Sequence, residues 1–423
     1  MKKILFAIIG LAALIACDKD DPESEVKANR TVVVYMAAEN NLGFEKEITF
    51  INRYAYDDIQ EMKQGIKAVS GGNHLVIYVD KCKDEKPEFN DPKPYLLHFW
   101  NGELRDSIPM EESLTSDPAV FEKVLRHAFT NYPADSYGLV LWGHSNGWDI
   151  KNDSVKYTAM SRKKAYGGDT GNNTYFSPGN YWLNLPTMAK VLSTMPHLTY
   201  IFADCCNFMC LESIYELRNV ADYIIGSPAE IPAYGAPYHT VTPALFEPTT
   251  LVNGVPQFAQ SIVDRYYDQC FNYLPLSVVK TSEMANLASA TGTALNEYGG
   301  MIGGIDTYPN VNGVIYYYYN LSEKKEFFDA NDFMLNCAQE SDKYEAYEAW
   351  KKVLDQTVIY KKMANRWMTD KEWNHYYGGF EVTEEKFSGV SMFVPQYAQI
   401  FTNNKFIRQM GWYYAAGYAD VGW

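Results

Sequence analysis

The sequence predicts an α/β fold: a mainly parallel sheet with helices on both faces and a further region at the C-terminal end. Three observations carry this. Strand-like apolar runs alternate with amphipathic helical stretches over the first 300 residues. The runs read as buried strands bounded by turn residues. A chain of 423 residues, 47% hydrophobic, is ample for a large core.

The elements follow in order. Residues 31–41, TVVVYMAAENN, form a β-branched strand ending in polar residues. Apolar residues at helical spacing predict a helix over 44–69, and HLVIYVD at 74–80 is a second buried strand. PYLLHFW and LRDSI flank Asn101-Gly102-Glu103, a hairpin signal. A helix over 116–132 starts with Ser116 or Asp117 as N-cap and Pro118 near its first position. Strands at 138–142, 198–204, 222–228 and 275–281 alternate with helices at 184–195, 208–220, 255–271 and 282–298, the last capped by Ser282. Residues 149–181 are polar and rich in Gly and Asn, and read as a long loop. Beyond residue 300 the pattern dissolves into Tyr- and Trp-rich segments, and GVSMFVP at 389–395 is the candidate to return a strand to the sheet. The expected division is 1–16, 17–30, 31–300 and an accessory 301–423 that packs on the core.

The first segment is a targeting signal. Lys2-Lys3 precede an apolar run, Ile4 to Ala16, that is too short to span a bilayer. It ends Leu14-Ile15-Ala16-Cys17, which resembles a bacterial lipoprotein signal with Cys17 as the lipidated residue. The polar, acidic stretch after it reads as a flexible tether. The expectation is a lipid anchor in the bacterial cell envelope, at the outer membrane and facing the cell surface. The net charge of −15 excludes nucleic acid as a natural partner, since phosphate binding needs a basic face.

Two strand ends carry chemistry. The first is YGLVLWGHSNGW at 137–148, whose Gly143-His144-Ser145-Asn146-Gly147 fits G-x-S-x-G, the nucleophile elbow of serine hydrolases. An elbow must feed straight into a helix, and the residues after Gly147 have no apolar stripe. The second is YIFADCC at 200–206, read as passing directly into a helix whose N-terminal amides would favour a thiolate. If the two strands are neighbours, His144 and a cysteine meet at one sheet edge as a dyad. The competing reading makes Cys205 and Cys206 small buried hydrophobes. Zinc held by Cys205, Cys206 and Cys210 is disfavoured, because adjacent cysteines rarely ligate one metal. With Cys17 lipidated, six cysteines are left, and an even number outside the cytoplasm permits disulfides without requiring them.

These motifs, in this order, resemble the clostripain family of cysteine peptidases, relatives of caspases, gingipains and legumains. VVVYMAAENNL is similar to its first strand, LVLWGHSNGW to its histidine motif, and SPAEIPAYGAPY to a loop that walls the substrate cleft. DCCNFMCLESIYELR resembles its Asp-x-Cys motif, in which the Cys precedes a Glu by six residues; Glu212 makes Cys206 that residue. The resemblance implies a caspase-like sheet and a Cys206–His144 endopeptidase working through a thioacyl-enzyme. It also implies an oxyanion site of Ser145 and Cys206 backbone N–H groups, and cleavage after Arg or Lys of a peptide or protein substrate. Asp204, Ser227, Glu230 and Tyr234 would line the substrate site. Asp204 and Cys206, two residues apart on an extended backbone, face one side; the other reading of Asp204 is a helix cap. Ser145 stands in place of the usual Gly, and Tyr234 where an acid often helps a basic pocket. These departures keep a non-catalytic lipoprotein that binds peptide or glycan as the alternative, with a serine hydrolase using Ser145 behind it. No metal or cofactor is called for by the residues; some relatives need calcium. Arg162, Lys163 and Lys164, between the two motifs, are the candidate self-cleavage site.

Overall fold

The computed structural model of the chain describes residues 28–46, 50–86, 89, 94–148, 166–171, 181–270, 273–303, 307–319, 325–367, 380–396 and 404–423. A nine-stranded sheet forms its centre. In chain order its strands are β1 (Ala28–Ala38), β2 (Asn73–Lys81), β3 (Tyr95–Trp100), β4 (Glu103–Pro109), β5 (Ala134–Trp142), β6 (Leu198–Asp204), β7 (Ala221–Gly226), β8 (Leu276–Lys280) and β9 (Val358–Lys362). In space they run β9-β8-β7-β6-β5-β1-β2-β3-β4. The middle strands, from β7 to β2, are parallel, and antiparallel pairs close both edges.

The helices are α1 (Tyr54–Gly65), α2 (Pro118–Asn131), α3 (Leu185–Leu192), α4 (Leu211–Leu217), α5 (Tyr238–Ala244), α6 (Gln257–Gln269), α7 (Met284–Tyr298), α8 (Ala330–Ser341), α9 (Tyr344–Thr357), α10 (Asn404–Ile407) and α11 (Gly411–Ala415). Strand alternation decides which face each residue serves. Val32, Val34 and Met36 of β1 pack with Ile59, Val241 and Ile262, under α1, α5 and α6. Val33 and Tyr35 point the other way, into a core shared with Phe121, Met188, Ile214, Leu287 and Trp350. Both faces of the sheet are therefore covered, which is why its strands read as continuous apolar runs.

Local chemistry fixes the joints. Asp117 caps α2 by accepting from the Ala119 N–H, with Pro118 next to it. Asn101 and Gly102, at φ 49° and 83°, make the two-residue turn between β3 and β4.

Several expected elements differ. The stretch expected as a helix over 44–69 is a small hairpin (Glu45–Lys46 with Ile51–Asn52) followed by α1. Within the expected loop 149–181, Tyr166–Asp169 pairs antiparallel with Tyr181–Leu183. Ser282 lies in a short 3-10 turn (Thr281–Glu283) before α7 rather than capping it. The strand that returns to the sheet from beyond residue 300 is β9; Ser391–Met392 pairs instead with Lys325–Asp329 in a separate three-stranded sheet. The C-terminal segments share the core of α2, α3 and α4, and the Trp423 Nε1–H donates to the Ile302 carbonyl at 3.0 Å. Cys82, Cys205, Cys206, Cys210, Cys270 and Cys337 are all free thiols. Among the described residues no helix is long and apolar enough to cross a membrane. Cys17 lies outside the described residues.

Candidate active site

β1 has β2 on one side and β5 on the other, so the chain departs from it in both directions across the sheet. Ligands in open α/β sheets sit at the carboxyl ends of strands beside such a switch point. Here that edge is built from the turns after β1, β5, β6 and β7.

Trp142 of β5 is in register with Asp204 of β6. His144 and Cys206 each lie two residues beyond this pair, so the sheet brings the two motifs to one height on adjacent strands. Gly143, at φ 142°, makes the first turn, and a Cβ there would meet the Ala37 carbonyl oxygen at 3.1 Å. Gly147, at φ 57°, brings the histidine turn against the cysteine turn: a Cβ would lie 2.6 Å from the Asn207 carbonyl oxygen. Both glycines are therefore steric requirements of the site.

The His144 carbonyl accepts from the Gly167 N–H at 2.8 Å, and its Nε2 lies 2.7 Å from the Asn41 amide oxygen. With that oxygen accepting, Nε2 carries the proton and Nδ1 is left as the basic nitrogen. Asn41 comes from the polar end of the β1 run. Sequence reasoning missed it as a site residue because it lies 103 positions from His144.

Of the adjacent cysteines, Cys205 is buried, and burial, with the neighbouring Cys206 and Asp204, pushes its thiol well up. Cys206 is half-buried, and its Sγ receives the Ile231 N–H at 3.4 Å. The expected helix entry is corrected: a turn follows Asp204, and α4 does not begin until Leu211. A backbone amide from the loop after β7 thus stands where the helix terminus was expected to support the thiolate. Cys210 is buried and bonded to the Ser213 hydroxyl at 2.8 Å.

The Ser145 hydroxyl faces inward, accepting from the Gly147 N–H at 3.3 Å and contacting the Cys205 thiol. Among the described residues no helix starts after Ser145: the chain is bridge and turn through Trp148, without the strand-to-helix elbow that a serine nucleophile needs. The Ser145 backbone N–H has no hydrogen bond among the described residues.

Ser227 is corrected from cleft-lining to structural. It is fully buried, its Oγ accepts from the Ala229 N–H, and its carbonyl accepts from the Met209 N–H. Glu230 is half-buried on the same loop, and Tyr234 is exposed. Asp204 does not cap a helix. Its Oδ2 accepts from the Ala236 N–H at 3.1 Å and the Tyr238 hydroxyl at 2.8 Å, and its Oδ1 from the Tyr266 hydroxyl at 2.9 Å. Burial raises its pKa, and those three bonds oppose the rise.

A second acid lies beside it. Asp58 of α1 accepts from the Trp142 Nε1–H at 2.6 Å, and its pKa is raised first by burial and then by Asp204. A Cβ on Gly235 would stand 2.8 Å from an Asp204 oxygen and 3.3 Å from an Asp58 oxygen. The turn at Gly235 therefore covers a pair of carboxyl groups. No sequence signal linked Asp58 to this place. Arg162, Lys163 and Lys164 lie outside the described residues.

The clostripain family model matches residues 34–419. Among solved structures, the chain is similar to a secreted C11 cysteine protease from Bacteroides thetaiotaomicron in complex with an irreversible peptide inhibitor. The two share 28% identity and a TM-score of 0.70, over 93% of this chain and 100% of the other. It is also similar to an inactive zymogen C11 protease from Parabacteroides distasonis, at 25% identity and a TM-score of 0.68, over 92% and 98% of the two chains. No curated protein sequence matches it.

Proposed function

The chain belongs to the clostripain family, and on that premise we propose that Cys206 is its nucleophile, His144 its base, and a basic side chain the group its cleft selects. That it is a cysteine-type endopeptidase acting on peptide or protein follows from the family and the proteases it matches. The single observation that carries the dyad is the register: His144 and Cys206 stand equally far beyond paired strand ends, and Cys206 is the one half-buried thiol of the two adjacent cysteines.

In this reading Nδ1 of His144 takes the thiol proton while Asn41 holds the ring through Nε2. The Cys206 thiolate, stabilised by the Ile231 N–H, attacks the scissile carbonyl. The Ser145 and Cys206 backbone N–H groups receive the oxyanion. The imidazolium returns its proton to the leaving amine, and water then hydrolyses the thioacyl-enzyme with His144 as base.

Asp204 and Asp58 support a basic pocket. A guanidinium matches a carboxylate by two parallel bonds and an ammonium by one, so Arg is preferred over Lys. For a basic side chain to reach the pair, the turn at Gly235 must move aside. Profiling with a mixed peptide library tests this. Cleavage after Arg, then Lys, is expected. Asp204→Asn should lose about 2–3 kcal/mol of that preference, about 30- to 150-fold, the scale for removing one partner of a buried charge pair. Cleavage mainly after neutral or acidic residues rejects the basic pocket.

The same proposal includes lipidation at Cys17, residence in the outer membrane facing the surface, and a tether at 17–30. It treats 31–300 as the peptidase unit with 301–423 packed on it, and includes slow self-cleavage at Arg162, Lys163 or Lys164.

A further inference from the structure

The geometry of the site gives the substrate a direction across the sheet edge. The loop after β7 lies on one side of Cys206: it supplies the Ile231 N–H to the thiol, and its turn at Gly235 covers Asp204 and Asp58. The residue before the scissile bond, and those preceding it, belong on that side. His144, from β5, stands on the other side, and it is the group that returns a proton to the leaving amine. The leaving half of the substrate therefore departs over β5, β1 and β2, in the order in which the sheet sets them.

The small hairpin of Glu45–Lys46 and Ile51–Asn52 stands along that path, shortly after Asn41. It is fastened to the chain beyond β2. Lys46 pairs with Glu85, and Arg53 holds Asp84 by two hydrogen bonds while its guanidinium lies 4.2 Å from the centre of the Phe89 ring. Leu42 and Phe44, just before the hairpin, are buried. Phe50 and Ile51 are not: they are 41% and 42% exposed. Single exposed apolar residues are ordinary, but an adjacent pair on a fastened hairpin at this edge offers an apolar platform to whatever crosses it.

We propose that Phe50 and Ile51 form a subsite for the leaving half of the substrate, and that they select a large apolar side chain there. The subsite rests on the dyad proposed above, which fixes the side from which the leaving amine departs. Its reach follows from strand spacing. From β6, which carries Cys206, to β2 there are three spacings of about 4.8 Å, about 14 Å in all. An extended chain covers about 3.4 Å per residue, so about the third to fifth residues beyond the scissile bond come to the hairpin. Covering part of a Leu side chain on this platform gives about a tenfold preference over a polar residue. This selection is separate from the basic pocket, which lies on the opposite side of Cys206, and either can be altered without the other.

The test gives the full-length protein matched substrates with Arg before the scissile bond. The peptides differ only at the third to fifth residues after that bond, which are Leu, Ser or Asp. A further substrate carries an aminocoumarin as leaving group and so has no residue on that side. The wild-type protein should cleave the Leu peptide with a kcat/KM about tenfold above that of the Ser peptide. Phe50→Ser/Ile51→Ser should bring that ratio below about twofold and leave coumarin turnover and melting temperature unchanged. Phe50→Lys/Ile51→Lys should instead prefer the Asp peptide over the Ser peptide by about two- to fivefold, the scale of an exposed ion pair. Equal kcat/KM for the Leu and Ser peptides in the wild type overturns the subsite. A Leu preference that survives both double variants, or coumarin turnover that falls in step with peptide cleavage, overturns it as well. No turnover of any of these substrates by the wild type rejects the dyad reading, and the subsite falls with it.

Discussion

Asn41 illustrates how the site works at the scale of single residues. Its amide oxygen takes the Nε2 proton of His144, which selects the tautomer whose Nδ1 is basic. Asn41→Ala frees the ring, and a misplaced base costs about 10- to 100-fold in kcat with KM little changed. Asn41→Asp restores an acceptor and adds a negative charge. That charge favours the imidazolium, so the lower limb of the pH–rate profile should move to higher pH. Steady-state kinetics across pH on both variants check this. An Asn41→Ala enzyme with wild-type kcat would remove Asn41 from the machinery. The two cysteines show the same dependence on surroundings: Cys205 is buried against Ser145, and its neighbour is half-buried under the Ile231 amide.

At the scale of elements, α4 is the lever. The Glu that lies six residues beyond Cys206 does no chemistry at the sheet edge. Glu212 is fully buried, accepts the Phe393 N–H at 2.7 Å and the Tyr418 hydroxyl at 3.2 Å, and so ties the C-terminal segments to the helix behind the nucleophile. Burial raises its pKa from 4.5 to about 7. The folded state therefore holds a proton that the unfolded chain releases between about pH 4.5 and 7. Stability from this group is present at low pH and is lost as pH rises through about 7, by at most about 3 kcal/mol. Glu212→Gln should flatten that part of the profile, so that its melting temperature relative to wild type is higher at pH 8 than at pH 5. Thermal unfolding at both pH values checks it; a wild-type profile in the variant would contradict it. Elements were also the scale at which the sequence was most legible. Continuous apolar runs and caps such as Asp117 are local signals, and β1 to β8 were readable from them. The failures were non-local. Residues 208–220 have helical spacing, yet the cysteine turn must first pack against Gly147 and the loop after β7, which delays α4. β9 was hidden because its partner, β8, lies far away in sequence.

For the whole molecule, the sheet acts as a ruler. Parallel pairing of β1, β5 and β6 places Asn41, His144 and Cys206 at one edge, although the sequence separates them widely. Asp58 reaches Asp204 from α1, far away in sequence, which is why no motif named it. The most direct measurement of the account is covalent. The wild-type protein is incubated with a peptide acyloxymethyl ketone ending in Arg, and the modified residue is mapped by mass spectrometry. The account predicts one adduct on Cys206, lost in Cys206→Ala and in excess of competing Arg peptide, and retained in Cys205→Ala. An adduct on Cys205 or Ser145, or labelling that survives Cys206→Ala, would contradict it.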